Sequence, residues 1–120
     1  MGPLMTESTA PVVERFQDKC RYEIRSGEEL AGFTAYRDHD GQRIFYHTEI
    51  DDTYTGQGLA SRLVQQALTD TRESGKRIVP VCPYVAKFLR RHVEFDENVD
   101  PVTADVRRWL NCALHDRAGN

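Results

Sequence analysis

The first half of the chain alternates apolar and polar residues in a way that predicts an antiparallel sheet. Alternation with a period of two is typical of strands with one buried face. The apolar positions of the first two runs are Cys20, Tyr22, Ile24, Ala31, Phe33 and Ala35. The second run ends at Asp40-Gly41, a strong hairpin signal, and residues 43–50 then supply a returning strand. We therefore expect three antiparallel strands before residue 51.

The apolar pattern changes to a helical period after residue 58. Apolar side chains now recur three and four residues apart, and Gly75 provides a stop. These positions are Leu59, Ala60, Leu63, Val64, Ala67 and Leu68. The pattern predicts one long central helix that buries a single face.

A second strand and helix follow the central helix. Residues 77–82 are almost continuously apolar, which predicts a fourth strand parallel to the third. We expect it to be central in the sheet and buried on both faces. Pro80 argues for an edge or an irregularity, because proline donates no ladder hydrogen bond. Pro83 suits the first turn of a helix that runs to about His92.

The C-terminal quarter predicts an irregular segment and a closing helix. Residues 93–101 are acidic and show no period. Beyond them the apolar positions have helical spacing, at Val102, Val106, Trp109, Leu110 and Ala113. Thr103 or Asp100 would cap this helix. The whole order predicts the α/β class, as an α+β mixed sheet with three antiparallel strands, a central helix, a parallel fourth strand and C-terminal helices.

Length and composition predict one ordinary globular domain. A chain of 120 residues can bury one core. Residues 12–120 are assigned to that domain, and the polar, aperiodic residues 1–11 to a flexible tail. Residues 1–5 would fit an expression-vector remnant ahead of a native start at Met5.

Charge and cysteine content exclude several functional classes. The formal charge of −3 argues against nucleic acid as a partner. No apolar run approaches the roughly 20 residues that cross a bilayer, so we expect a cytoplasmic protein without a membrane partner. The three cysteines and four histidines show no zinc-ligand spacing, so we expect free thiols and no metal.

The junction between the third strand and the central helix carries the main chemical signal. Gly56 and Gly58 lie there, where backbone N–H groups point outward and the positive end of a helix follows. An anionic group is the natural occupant, and a phosphate-bearing ligand is the first hypothesis. The sequence does not match the Rossmann fingerprint, because residue 61 is serine where the third glycine is needed. It does not contain a phosphate-lysine loop either, so both nucleotide-binding motifs fail.

The same segment resembles the pyrophosphate loop of the Gcn5-related N-acetyltransferases. Their motif reads Gln or Arg, two residues, Gly, one residue, then Gly or Ala, and residues 53–58 read TYTGQG. Both glycines match, and Thr53 departs from the first position. Residues 47–50 (HTEI), 79–85 (VPVCPYV) and 91–94 (RHVE) resemble a small, minimal subfamily of these enzymes. The similarity spans roughly residues 20–99.

The resemblance implies acetyl-CoA as the cofactor, used as a co-substrate. In this fold two neighbouring strands separate near their middle, and the pantetheine arm inserts between them. The implied cofactor contacts are Ile50, Thr55, Gly56, Gln57, Gly58, Leu59, Ala60, Ser61, Tyr84 and Lys87. Apart from the glycines, the loop and helix residues from Thr55 to Ser61 would supply backbone N–H groups. A basic residue would meet the 3′-phosphate, with candidates Lys76, Arg77, Lys87, Arg90 and Arg91.

The resemblance also proposes residues for acetyl transfer, which needs a base for the amine and a proton source for the departing thiolate. Glu49, expected to be half-buried, is the candidate base, and His47 shares its side of the strand. A solvated glutamate and a structural histidine are the alternatives. Tyr84 is the candidate acid. Cys82 is either a nucleophile or, as we favour, part of the pocket wall.

These residues predict an acetyl-CoA-dependent N-acetyltransferase that acts on an amine of unknown identity, as a monomer or homodimer. The alternative is a non-catalytic CoA-binding module, a sensor or interaction domain. That alternative stays open because the chain has little room for the C-terminal strands that usually wall the acceptor site. A structural domain without a ligand is the third hypothesis.

Overall fold

Five strands form one mixed sheet in the order β1-β2-β3-β4-β5 in the computed structural model, which describes residues 11–54 and 56–119. The strands are β1 (Val12–Phe16), β2 (Arg21–Ser26), β3 (Glu29–His39), β4 (Gln42–Ile50) and β5 (Arg77–Pro80). Each of the first three strands pairs antiparallel with the next one along the chain, and β5 pairs parallel with β4. The helices are α1 (Leu59–Glu73), α2 (Pro83–Arg91) and α3 (Ala104–Gly119). Three short 3₁₀ segments are Gln17–Lys19, Asp52–Tyr54 and Val93–Asn98.

The predicted fold class is confirmed, with one more antiparallel strand than the pattern suggested. Strand β1 pairs with β2 along its whole length. It is an edge strand whose residues are exposed or only half-buried, and Val12 is exposed. An edge strand buries too little apolar surface to show a clear alternation of apolar and polar residues, so the sequence pattern did not predict β1. The tail predicted for residues 1–11 lies, except for its last residue, outside the described residues.

Strand β5 is buried on both faces as predicted, but its predicted central position is wrong. Ile78 and Val79, which point to opposite faces, are fully buried. The strand nevertheless ends the sheet, because its outer edge meets only the isolated bridge from Ile78 to Val99 among the described residues. Helices cover both faces here, so burial does not require a further strand. Pro80 is the last residue of β5, which suits its missing donor.

The helices cover the two faces of the sheet unequally. Helices α1 and α2 pack on one face, where their apolar residues join Tyr22, Ile24 and Phe45 in the main core. Helix α3 packs on the opposite face through a smaller cluster centred on Ile44, Val79 and Leu110. Its first turn is capped by Thr103, whose Oγ1 accepts the Val106 N–H at 3.1 Å. Of the two proposed caps, Thr103 is therefore the correct one.

Strands β4 and β5 stay paired over only four residues and then separate. The parallel register runs from Gln42 opposite Arg77 to Phe45 opposite Pro80. At the same height β4 carries a bulge, because Phe45 pairs with Tyr36 of β3 and His47 with Ala35, which leaves Tyr46 unpaired. A bulge bends its strand and increases the local twist. The far half of β4 thus diverges from the path of β5.

A buried polar network joins the sheet to α1. The Arg43 side chain is 2% exposed and donates two hydrogen bonds to the Asp38 carboxylate, at 2.8 and 3.0 Å. It also donates to the Tyr22 hydroxyl at 2.6 Å, which in turn donates to Asp70 on α1 at 2.6 Å. Burial, together with the bond to Asp70, raises the pKa of Tyr22 well above its usual value.

No helix in the described ranges has an apolar stretch that could traverse a bilayer.

Candidate cofactor and active site

The loop between β4 and α1 exposes bare backbone. Gly56 has φ +88° and Gly58 has φ +75°, the left-handed region that favours glycine. A Cβ built at either position meets no atom within 4 Å, so the space beside the loop is open. The preceding turn is held by Asp51, whose carboxylate accepts the Thr53 N–H and whose carbonyl accepts the Tyr54 N–H, both at 2.9 Å. Thr55 lies outside the described residues.

The first turn of α1 presents donors that the helix itself does not use. The first intrahelical bond runs from the Arg62 N–H to the Gly58 carbonyl at 3.2 Å. The N–H groups of Leu59, Ala60 and Ser61 therefore have no intrahelical acceptor, and Gly58 offers no side-chain cap. The Gln57 N–H, by contrast, donates to the Tyr54 carbonyl at 3.3 Å. The turn thus uses the Gln57 N–H, and the assignment of Gln57 as a cofactor contact stays a prediction.

The far half of β4 has one open edge that leads toward this loop. The Asp51 N–H bonds to the Ala31 carbonyl at 2.8 Å, so the peptide groups of Glu49 point toward β3. By strand alternation, those of Thr48 and Ile50 point the other way, into the gap left by β5. No strand among the described residues pairs with that edge beyond Phe45. The main chain of Ile50, a predicted cofactor contact, lies at this edge.

His47 and Glu49 come together on the face of the sheet away from α1 and α2. The His47 Nε2 and Glu49 Oε2 atoms are 2.9 Å apart. The His47 ring also lies 5.8 Å from the Phe33 ring. The Glu49 side chain is 61% exposed, so the expected half-burial is wrong. It is exposed because α3 covers β4 only near Ile44 and Tyr46.

Cys82 and Tyr84 lie apart from that pair. Cys82 is 3% exposed in the main core, and its Sγ lies 3.3 Å from the Thr48 hydroxyl on the opposite face from Glu49. Thr34 continues this chain, with its hydroxyl 2.9 Å from that of Thr48. Tyr84 is exposed in the first turn of α2. Burial and the contact with Thr48 limit the access of other molecules to the Cys82 thiol.

The structure separates the basic residues proposed for the 3′-phosphate. Arg77 begins β5, opposite Gln42 and therefore at the other end of the sheet from the glycine loop. It is also paired with Asp100 at 2.8 Å. Lys76 precedes it and is equally remote, so both assignments are wrong. Arg90 and Arg91 end α2.

The ends of α1 and α2 lie close together, because Arg72 of α1 donates to the Glu94 carbonyl just beyond α2. That contact places the end of α2 away from the first turn of α1. Lys87 is exposed halfway along α2 and is the remaining candidate.

Sequence reasoning missed Thr48 and the bulge at Tyr46. The alternation that pairs His47 with Glu49 places Thr48 on the other face, so Thr48 was detectable. The bulge was not detectable, because it depends on the register with β3. The three cysteines are separate thiols, and the described residues contain no cluster of three or more His, Cys, Asp or Glu side chains able to hold a metal.

A mixed sheet whose parallel strands separate beside a glycine loop and a helix N-terminus is the architecture of an acetyltransferase fold. The sequence profile of the GCN5-related N-acetyltransferases matches residues 21–99, and the chain belongs to this family. A GCN5-like protein from Staphylococcus aureus, solved by NMR, superposes with a TM-score of 0.59 at 18% identity, over 78% of this chain and 91% of that one. The likeness shows the shared fold.

A curated relative is Protein NATD1 from Bos taurus. It is 37% identical over 54 residues, which are 43% of this chain and 48% of that protein. The matched part of the chain thus spans about half the length of this relative.

Proposed function

We propose that the chain is an acetyl-CoA-dependent N-acetyltransferase that moves an acetyl group to an amine. The observation that carries the proposal is the continuity between the open edge of β4 and the glycine loop. The pantetheine amides of acetyl-CoA would complete the hydrogen bonds of Thr48 and Ile50 as an added strand would. Gly56, Gly58 and the N–H groups of Leu59 to Ser61 would hold the pyrophosphate.

Acetyl-CoA supplies the activated thioester, and the chain supplies the proton transfers. Glu49 accepts the proton of the amine, and His47, 2.9 Å away, relays it or orients the carboxylate. Both face solvent on the side of the sheet without α1 and α2, so the amine reaches the gap from that side. Tyr84, exposed at the start of α2, donates a proton to the departing thiolate. Cys82 forms the wall, and its burial favours direct transfer.

The test begins with the purified protein. Mass spectrometry for copurified CoA and calorimetry with acetyl-CoA measure binding, and thiol release from acetyl-CoA with a panel of amines measures turnover. A ligand at about 100 times its dissociation constant should stabilise the fold by about 2.7 kcal/mol. Binding together with amine-dependent thiol release supports the proposal. Binding without release would favour the CoA-binding module, and no stabilisation by CoA would refute both.

A further inference from the structure

A groove of about 400 Å³ lies between α3 and the place where β4 and β5 separate. This volume is typical of small-molecule sites, which run from about 300 to 1,000 Å³. We call it the α3 groove, and its lining residues are Tyr46, Val81, Arg107, Leu110, Asn111 and Leu114. Three of these side chains are aliphatic, so the groove suits a ligand with an apolar body.

The α3 groove opens at the gap between the strands. Tyr46 is the unpaired bulge residue of β4, and Val81 is the first residue beyond β5. The two residues therefore mark the point where the strands part. Tyr46 also lies on the same face as His47 and Glu49, because the bulge places two consecutive side chains on that face. A molecule in the groove thus lies on the side from which the amine would approach Glu49.

One arginine lines the α3 groove and a second lies over its Tyr46 ring. Arg107 is exposed on its wall, and the Arg37 guanidinium lies over the Tyr46 ring, 5.7 Å from its centroid. Neither arginine forms an ion pair with a carboxylate among the described side chains. Within the described part of the chain, the Arg37 guanidinium donates to the Tyr36 carbonyl at 3.1 Å and to no other acceptor. Two arginines without a carboxylate partner favour an anionic group on the occupant.

We propose that the α3 groove holds the body of the acceptor, and that Arg107 and Arg37 select an amine that also carries a carboxylate. This inference rests on the proposed function and adds the acceptor class to it. The apolar part of the acceptor packs on Val81, Leu110 and Leu114, and its amine extends toward Glu49. In this proposal α3 provides a wall of the acceptor site.

The test uses three amines of the same chain length, which are ε-aminocaproate, hexylamine and hexamethylenediamine. NMR titration of the labelled full chain in the presence of CoA measures their binding without turnover, and thiol release from acetyl-CoA measures transfer. We expect aminocaproate to bind most tightly, with shifts at Tyr46, Val81 and Asn111. Arg107→Gln should raise its dissociation constant about tenfold, the effect of one lost charge-assisted hydrogen bond. Arg37→Gln should act in the same direction.

The matched control is Arg108→Gln, on the same helix but paired with Asp105 and absent from the groove lining. It should bind aminocaproate as the unchanged protein does. Equal binding of all three amines, or NMR shifts remote from the groove, would overturn the inference about the acceptor. Thiol release with any amine would still support the proposed transferase activity. Selective binding in the groove by a chain that releases no thiol with any amine would instead refute the transferase and, with it, the role of the groove as an acceptor site.

Discussion

Gly58 and Gly75 lie at the two ends of α1, and both have a positive φ, +75° and +78°. A Cβ at either position meets no atom within 4 Å, so the positive φ is the cost that a side chain meets at both. The left-handed conformation costs a residue with a side chain about 1–2 kcal/mol. The two glycines are therefore alike in their effect on stability and differ only in their distance from the proposed pyrophosphate site.

We predict that Gly58→Val abolishes measurable acetyl-CoA binding, because its side chain fills the space that the pyrophosphate needs. Gly75→Val should bind acetyl-CoA normally. Both variants should lose a similar 1–2 kcal/mol of stability in urea unfolding. Calorimetry on the two variants side by side measures the difference, and equal affinities would contradict the glycine-loop assignment.

Glu49→Gln tests the proposed base. The amide preserves the size of the side chain but cannot accept a proton, so kcat should fall about 100-fold or more while acetyl-CoA affinity is unchanged. The measurement is steady-state thiol release together with calorimetry. Glu14→Gln is the control, an exposed carboxylate on the edge strand β1. Unchanged kcat at all pH values would remove Glu49 from the mechanism.

At the scale of elements, Asp100 holds the outer part of the sheet together. Its carboxylate accepts hydrogen bonds from Gln42 of β4 at 2.8 Å and from Arg77 of β5 at 2.9 Å. Its backbone N–H bonds to the Ile78 carbonyl at 2.8 Å. Burial alone would raise the pKa of Asp100, but the bonds from Arg77 and Gln42 outweigh it and hold the pKa below its usual value.

Asp100→Asn should therefore cost about 1 kcal/mol at pH 7. Because the folded pKa is the lower one, the stabilisation is complete above the unfolded pKa of about 3.9 and is lost as pH falls through the folded pKa. The difference between variant and unchanged protein should accordingly shrink below about pH 4. Urea unfolding at neutral and acidic pH measures it, with the exposed Asp105→Asn as the control. A difference that does not change with pH would contradict the ion-pair account.

At the scale of the whole molecule, Arg43 connects three parts of the fold. It joins β4 to Asp38 at the end of β3 and, through Tyr22 of β2, to Asp70 of α1. Its guanidinium also lies 4.5 Å from the centroid of the Tyr36 ring. Burial by itself would lower the pKa of Arg43. The hydrogen bond to Asp38 opposes burial, and the net pKa lies above its usual value, so the side chain stays charged.

Arg43→Met should destabilise the protein by about 3 kcal/mol, because the Tyr22 hydroxyl and Asp38 lose their buried donor. Arg15→Met is the comparison, since Arg15 reaches the Tyr36 hydroxyl from the exposed edge strand. It should cost less than about 1 kcal/mol. Denaturant unfolding measures both variants. Equal losses would show that burial of the network contributes little.

Local patterns predicted most of the fold. The period-two runs located β2 to β4, the helical period located α1 and α3, and Pro83 marked the start of α2. Each pattern reports burial of one face, which depends on local sequence. Strand β1 was not predicted, because an edge strand buries little apolar surface. The position of β5 in the sheet was predicted wrongly, because burial on both faces does not distinguish a central strand from an edge strand covered by helices.

The candidate site divides in the same way. The sequence by itself determined the glycine loop, the helix behind it and the proximity of His47 to Glu49, because each depends on residues a few positions apart. Only the tertiary structure decided the gap beyond Phe45, the burial of Cys82 beside Thr48, the remoteness of Arg77 and the groove under α3. These features depend on strand register, on a bulge and on which face a distant helix covers, and contacts between residues far apart in the chain set all three.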